Sequence, residues 1–330
     1  MNKTILLVDD DLRLRELLKD YLNEKNLSIF TCQDFEEAKE VLKFFLFDLI
    51  ILDRMMPSGD GVDLISFIKN KSNIPVIILT AMGEDVNKIN HVFVTHIHLD
   101  HSGGAWRFAK NGATIYVHPK GAPHLENPEK LITSATMIYG DKMEKLWGKV
   151  DKIDTSQIYS VNDNEEIKID NYSFKALYTP GHASHHISWK LNNIIFTGDV
   201  AGAKIKNGPV MPACPPPDIN LELWEKSIKI IEKEKPEKLY LTHFGEHQNI
   251  KAHFNELRKN LNLWFDWIKE NNLKYKDNDI LTAKFNDYVL EEMKKENVEK
   301  ELIDQYFAAN PPYMSVSGIK RYWYKKNENK

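Results

Sequence analysis

The sequence predicts an α/β protein with two successive α/β regions and a helical C-terminal part. Short apolar runs alternate with amphipathic stretches over the first ninety residues, which is the pattern of a doubly wound parallel sheet. A strand pattern at residues 91–95 then leads directly into a cluster of histidines and an aspartate. Beyond residue 250, apolar residues recur at helical spacing.

The composition is that of an ordinary globular protein. The 330 residues suggest two domains more readily than one, with 42% hydrophobic and 28% charged residues. The net charge is −4 and shows no excess of basic residues of the kind that binds nucleic acid, so we expect no nucleic-acid partner. Since no apolar run is long enough to span a bilayer, we expect no membrane partner either. The first residues lack a signal-peptide h-region and there are only two cysteines, so we expect a cytoplasmic protein.

The first region places acidic residues at the ends of its predicted strands. Asp9 and Asp10 follow the predicted strand at Ile5–Val8, Asp53 ends the one at Leu49–Leu52, and Thr80 ends the one at Pro75–Leu79. The carboxyl ends of parallel strands meet at one edge of the sheet. Carboxylate oxygens gathered there suit Mg²⁺, which retains several waters and recruits phosphoryl groups.

Residues 1–89 resemble a response-regulator receiver domain of the OmpR type. The stretches ILLVDDDLRLRELL, DLIILDRMMPSGDGVDLISFIK and IPVIILTA carry the resemblance. It implies that Asp53 is the phospho-acceptor and that Asp9, Asp10 and Asp53 bind Mg²⁺. It also implies that Thr80 senses the phosphoryl group and that a histidine kinase is a partner.

The second region contains residues typical of a metal site. His96 and His98 are two apart on an extended segment, so their imidazoles point the same way and can share one ion. Asp100 and His101 follow on the next turn and can reach a second ion. Three more candidate ligands follow in loop or strand-end positions: His182, Asp199 and His243.

Over residues 91–247 the motifs THIHLDHSGG, TPGH, IIFTGD and LYLTHFG resemble the metallo-β-lactamase superfamily, and within it glyoxalase II. The resemblance implies an αβ/βα sandwich with a helical C-terminal region. It assigns the first metal to His96, His98 and His182. It assigns the second to Asp100, His101 and His243, with Asp199 bridging both ions and His186 orienting a ligand.

The expected activity is metal-dependent hydrolysis. A metal-bridged hydroxide attacks an ester, thioester or lactone of a small-molecule substrate, with Asp100 as the catalytic residue that orients it. We expect two zinc ions; iron stays open, because imidazole and carboxylate suit both metals, and would favour sulfur oxidation. Two alternatives remain: a phosphorelay response regulator with the metal module as output, and an inactive fusion that only binds metal.

We predict three parts: a truncated receiver at 1–89, a metal-binding domain at 90–250 and a helical extension at 251–330. The receiver pattern ends before its fifth strand and lysine, and the hydrolase pattern lacks its N-terminal strands. The strand at 92–95 is therefore expected to lose cover on its faces and a partner at its edge.

Three residues outside the motifs receive structural interpretations. We place His185 at the surface or the rim of the pocket, and His253 in solvent. Cys214 has no base partner in its proline-rich segment, so we interpret it as a loop thiol without a catalytic role.

Overall fold

The computed structural model describes residues 3–53, 55–56, 59–60, 64–65, 67–68, 74–79 and 89–328. The chain divides into two compact units. The first comprises Met1–Ile89 and Tyr139–Gly148, and the second comprises Asn90–Ile138 and Lys149–Lys330. The three domain limits given above remain a prediction.

The first unit is built on a parallel sheet. Its elements are β1 (Thr4–Val8), α1 (Leu12–Glu24), β2 (Ser28–Cys32), α2 (Phe35–Phe44), β3 (Leu49–Asp53), β4 (Met55–Met56), β5 (Gly59–Asp60) and β6 (Val76–Leu79). The sheet order is β2-β1-β3-β6, with every pairing parallel, and β4 pairs separately with β5. This is the doubly wound arrangement that the alternating pattern predicts.

Alternation along β1 explains why both faces of this sheet are covered. Leu6 and Val8 pack in one cluster with residues of α2, whereas Ile5 and Leu7 pack on the other face with residues of α1. Helix α1 begins where the side chain of Asp11 accepts a hydrogen bond from the backbone N–H of a residue in its first turn. The other two acids of the DDD run are thus left at the strand end.

The second unit contains two sheets. The three-stranded sheet has the order β7-β8-β9 and the six-stranded sheet the order β10 to β15. The strands are β7 (His91–Phe93), β8 (Thr114–Val117), β9 (Ile158–Ser160), β10 (Glu166–Ile169), β11 (Tyr172–Tyr178), β12 (Ile187–Leu191), β13 (Ile194–Gly198), β14 (Lys238–Leu241) and β15 (Gly245–His247). In the larger sheet only β13 and β14 pair in parallel.

Helices of ten or more residues dominate the C-terminal part of this unit, and mostly shorter ones precede them. From Leu99 onward the described α-helices are α3 (Leu99–Ser102), α4 (Ala105–Lys110), α5 (Ala122–Glu126), α6 (Glu129–Tyr139), α7 (Met143–Trp147), α8 (Leu221–Lys233), α9 (Ile250–Lys274), α10 (Asn278–Lys295), α11 (Lys300–Ala309) and α12 (Pro312–Glu328). Helix α7 belongs to the first unit. Among the residues that the structure describes, none of these helices has the length and apolarity that a membrane crossing requires.

The two sheets of the second unit face each other across an apolar layer. Tyr116 of β8 packs there with Ile187 and Trp189 of β12. The neighbours Ile115 and Val117 point the other way, into a cluster with residues of α4 and α5. Helices α8 to α12 cover the outer face of the six-stranded sheet. The predicted αβ/βα sandwich with a helical C-terminal region is confirmed.

Strand β7 lies at the edge of the smaller sheet. Within the described residues it has one strand partner, β8. Its faces are nonetheless covered, because Phe93 stacks on Tyr116 and Phe174 with ring centroids 4.7 and 4.4 Å apart. Trp189 also donates a hydrogen bond to the Val94 carbonyl over 3.2 Å. The Thr95 carbonyl accepts from the Ile187 N–H over 2.7 Å, so both carbonyls at the end of this segment are paired. The expected loss of cover on the strand faces was wrong.

The helical extension shares one core with the six-stranded sheet. The cluster contains Ile195 and Leu239 from the sheet together with Leu257, Leu261 and Phe285 from the helices. Residues 251–328 therefore pack as part of the sandwich.

We expect Leu261→Ala to lower the free energy of unfolding by about 2–5 kcal/mol, because Leu261 is 2% exposed and its removal leaves a cavity. Leu273→Ala, in the same helix at 73% exposure, is the matched control and is expected to change stability little. Urea unfolding followed by tryptophan fluorescence measures both. Equal losses in the two variants would contradict the shared core.

Candidate metal centre

The chain brings seven candidate ligands to one end of the sandwich. His96 and His98 follow β7, and helix α3 carries Asp100 and His101. The other three follow strands β11, β13 and β14: His182, Asp199 and His243. The strand ends therefore deliver residues that are far apart in sequence to one place, and all seven predicted ligands are brought together.

Three imidazole nitrogens converge in the first half of the site. The distance from His96 Nε2 to His98 Nδ1 is 3.0 Å, and from His182 Nε2 to His98 Nδ1 it is 3.1 Å. A neutral imidazole nitrogen carries either one proton or one lone pair. His98 Nδ1 can therefore donate a hydrogen bond to only one of its two neighbours. Burial disfavours the charged form of all three rings and lowers their pKa.

Hydrogen bonds on the far side of two rings set their orientation. His96 Nδ1 lies 3.1 Å from Thr95 Oγ1. His182 Nδ1 lies 2.8 Å from the Ala213 carbonyl oxygen, which can only accept, so Nδ1 carries the proton. The Nε2 lone pair of His182 then faces the other histidines, as a metal ligand requires.

Asp199 lies at the centre of the site and is 4% exposed. Its Oδ2 atom is close to the Nε2 atoms of four histidines: His101 at 3.4 Å, His182 at 3.6 Å, His243 at 3.6 Å and His96 at 3.9 Å. Its Oδ1 atom has no hydrogen-bond partner among the described residues. This is the position that a carboxylate bridging two ions needs.

Two carboxylates give the second half of the site negative charge. Asp100 Oδ2 lies 3.1 Å from His101 Nε2 and 3.5 Å from His243 Nε2. Burial alone would lower the pKa of His101, but the carboxylates of Asp199 and Asp100 outweigh it and raise that pKa to about 9. Hydrogen bonds to the same two carboxylates raise the pKa of His243 to about 10. The two acids thus attract positive charge to this half.

These residues fit divalent metal ions. Converging unprotonated nitrogens and a buried carboxylate oxygen without a partner are costly unless a cation compensates them. Imidazole and carboxylate donors suit Zn²⁺ and also Fe²⁺. His96, His98 and His182 would hold one ion, Asp100, His101 and His243 the other, and Asp199 both.

His186 contacts the backbone at Asp199. Its Nε2 accepts a hydrogen bond from the Asp199 N–H over 3.2 Å, and its Nδ1 lies 2.9 Å from Thr179 Oγ1. Gly198 makes this contact possible, because its φ is +57° and a Cβ atom there would lie 2.5 Å from His186 Nε2. His186 is therefore placed to orient Asp199.

The expected solvent exposure of His253 was wrong, and of the two positions expected for His185 the surface was wrong. His185 is 9% exposed and accepts a hydrogen bond from the Ile97 N–H over 3.4 Å, so it does not lie at the surface. His253 is 4% exposed and donates to the Ala201 carbonyl over 2.8 Å. Cys214 is fully buried, and burial raises the pKa of its thiol.

The receiver acids also form a cluster. Carboxylate oxygens of Asp9, Asp10 and Asp53 lie within 4.8 Å of one another. Burial raises the pKa of Asp9, the backbone N–H of Asp11 opposes this, and the neighbouring acids add to the rise. Thr80, predicted to sense the phosphoryl group, lies outside the described residues.

Sequence reasoning missed three groups that orient ligands. Thr95 and Thr179 directly precede the histidine motif and the TPGH proline, so adjacency to a motif was an available signal. The Ala213 carbonyl is a backbone group 31 residues from His182, and no side-chain pattern marks it.

The sequence matches two family profiles. One is the response regulator receiver domain, at residues 5–97, and the other is the metallo-beta-lactamase superfamily, at residues 58–243. The second match covers more than half of the 330 residues. The chain belongs to the metallo-β-lactamase superfamily. Its N-terminal part is a receiver domain, as the sequence resemblance indicated.

Both parts have relatives among curated proteins. A metallo-beta-lactamase fold-containing protein of Sulfurisphaera tokodaii is 32% identical over 169 residues, which are 48% of this chain and 62% of that protein. The transcriptional regulatory protein ResD of Bacillus subtilis is 41% identical over 85 residues, 26% of this chain and 35% of ResD. The chain thus spans less than two thirds of either relative.

A crystal structure of an archaeal metallo-beta-lactamase superfamily protein from Sulfolobus tokodaii aligns with a TM-score of 0.47 at 31% identity. It covers 52% of this chain and 68% of that protein. All seven candidate metal ligands lie within the residues that the superfamily profile matches.

We expect His186→Ala to weaken zinc binding by about 10- to 100-fold, the usual cost of removing a group that orients a metal ligand. Competition with a chromophoric chelator measures the affinity. His124→Ala removes a half-buried histidine from helix α5 and serves as the control. Parent-like affinity in the His186 variant would contradict the orienting role.

Proposed function

We propose that this chain is a two-zinc hydrolase that cleaves an ester, thioester or lactone of a small molecule. The observation that carries the proposal is the shared position of Asp199 between two groups of candidate ligands. Two ions a few ångströms apart are the arrangement of metallohydrolases. Membership of the metallo-β-lactamase superfamily supports the same reaction class.

When bound, the ions lower the pKa of a water molecule from about 15.7 to about 7 and polarise the substrate carbonyl. Asp100 is the one ligand carboxylate with substantial access to solvent, with 42% of its side chain exposed against 5% for Asp199. Burial raises the pKa of Asp100, but hydrogen bonds from His101 and His243 hold it well below its usual value. Asp100 therefore stays ionised and can accept a hydrogen bond from an attacking water at the open side of the site.

The surroundings favour an acyl substrate with an apolar part. Phe244 follows His243 directly and is 49% exposed, which offers an apolar surface beside the site. The buried Cys214 does not supply a nucleophile, so the proposal contains no acyl-enzyme. These features support carbonyl chemistry by activated water.

Metal content is the first test. We expect about two zinc ions per chain in the purified protein and clearly fewer in a His98→Ala/Asp100→Ala variant, measured by plasma mass spectrometry. About one iron per chain would instead favour the sulfur-oxidising alternative. Protein without bound metal, and unable to take it up, would support neither.

Turnover is the second test. Zinc-loaded protein is assayed with a thioester, a lactone, an aryl ester and a β-lactam. We expect Asp100→Asn to lower kcat/KM by about 100-fold or more, because the carboxylate that orients the attacking water is lost. Asp266→Asn, an exposed acid on helix α9, is the control. Zinc-loaded parent protein without activity on any of the four would favour the metal-binding fusion.

The acid cluster of the receiver supports a second function. The grouping of Asp9, Asp10 and Asp53 suits Mg²⁺ and places a carboxylate where a phosphoryl group can be transferred. We propose Asp53 as the phospho-acceptor, with a histidine kinase as donor and the hydrolase as output.

Acetyl phosphate with Mg²⁺ is expected to add one phosphoryl group to the parent protein and none to Asp53→Asn, as read by intact mass. The matched control is Asp48→Asn, which removes the exposed acid paired with Lys3 just before the same strand. Continued labelling of Asp53→Asn would overturn the acceptor assignment, and an unchanged hydrolytic rate on labelling would overturn the output role.

A further inference from the structure

The 203–217 segment, called the 203–217 loop below, lies behind the first half of the metal centre. It follows the 3₁₀ turn Asp199–Ala201 and precedes helix α8, and its regular structure is confined to a single bridge between Ala203 and Met211. Its Ala213 carbonyl accepts the Nδ1 proton of His182. The position of this loop therefore decides which nitrogen of His182 faces the metal.

Side chains from the C-terminal helical region satisfy the backbone of the loop. They are Glu256, Asn260, Tyr306 and Asn310. The Tyr306 hydroxyl accepts from the Ile205 N–H over 2.8 Å and donates to the Pro209 carbonyl over 2.6 Å. Asn310 Nδ2 donates to the Pro212 carbonyl over 2.7 Å, one residue before Ala213. A loop without a ladder of its own needs such partners, because buried backbone groups must be paired.

Helix α12 approaches the same point from behind. A Cβ atom at Gly318 would lie 2.0 Å from the Cys214 carbonyl oxygen and 3.0 Å from the carbonyl carbons of Cys214 and Pro215. These neighbours are backbone atoms, so they cannot rotate away as a side chain would. Any residue larger than glycine must push the loop at the position after Ala213.

We propose that Asn310 and Gly318 are positioning residues for His182. The C-terminal helices hold the 203–217 loop so that Ala213 fixes the Nδ1–H tautomer and leaves the Nε2 lone pair to the metal. The inference rests on the metal site of the proposed function and is independent of the substrate. It gives the helical region a role in metal affinity.

The first test compares two asparagines. Asn310→Ala is expected to weaken zinc affinity by about 3- to 10-fold, less than the roughly 10- to 100-fold cost of losing a direct ligand partner. Asn271→Ala is the matched control. Asn271 Nδ2 also donates a hydrogen bond of 2.9 Å to a backbone carbonyl, that of Trp267, which is not part of the loop. Chelator competition measures both, with thermal unfolding of the metal-free proteins as a check on folding.

The second test uses helix α12. Helix propensity alone favours alanine over glycine, so Gly318→Ala would strengthen the helix if nothing opposed it. We expect it instead to weaken zinc affinity, while Ser317→Ala, at the exposed neighbouring position, leaves the affinity unchanged. Parent-like affinity in both Asn310→Ala and Gly318→Ala would overturn the proposal.

A third readout needs neither metal nor substrate. Long-range ¹⁵N–¹H spectra of histidine-labelled, metal-free protein distinguish the Nδ1–H from the Nε2–H tautomer, and His182→Gln assigns the signal. We expect the Nδ1–H form in the parent and in Asn271→Ala, with the Nε2–H form appearing in Asn310→Ala and Gly318→Ala. An unchanged tautomer in those two variants would overturn the proposal even if the hydrolase reaction were established. A changed tautomer would support it even if no substrate were cleaved.

Discussion

A buried carboxylate at the centre of the sandwich is the constraint on which the site depends. Burying Asp199 without positive charge beside it would be costly, since a charge loses its hydration in the interior. Burial raises its pKa, but the neighbouring histidines, His101 foremost, hold it well below its usual value. The ends of β7, β13 and β14 bring those rings together. The ionised, buried carboxylate of Asp199 is thus stable only while protonated histidines or metal ions lie within a few ångströms.

The acids of the receiver unit have a different electrostatic environment. Asp9 and its neighbours repel one another, and no histidine of the described cluster offsets their charge. Burial raises the pKa of Asp9 and this repulsion adds to the rise, whereas the pKa of Asp199 is lowered. Both units place acids at the carboxyl ends of strands, and in the sandwich histidines lie beside those acids.

The parts of the site that depend on spacing could be predicted, and those that depend on packing could not. His96 and His98 follow a strand two residues apart, and that spacing carries the geometry. The burial of His185 and His253 comes from contacts with segments 50 or more residues away, which leave no local pattern. The cover on β7 likewise comes from Phe174 and Trp189, on strands of the opposite sheet.

Gly198 limits how this sequence can change over time. Every single-base change of a glycine codon that alters the residue introduces a Cβ atom, and that atom would meet the His186 ring at 2.5 Å. The ring has little freedom to retreat, because hydrogen bonds hold both of its nitrogens. A lineage that lost this glycine would therefore have to replace the histidine as well. Positions 186 and 198 are expected to vary together or not at all.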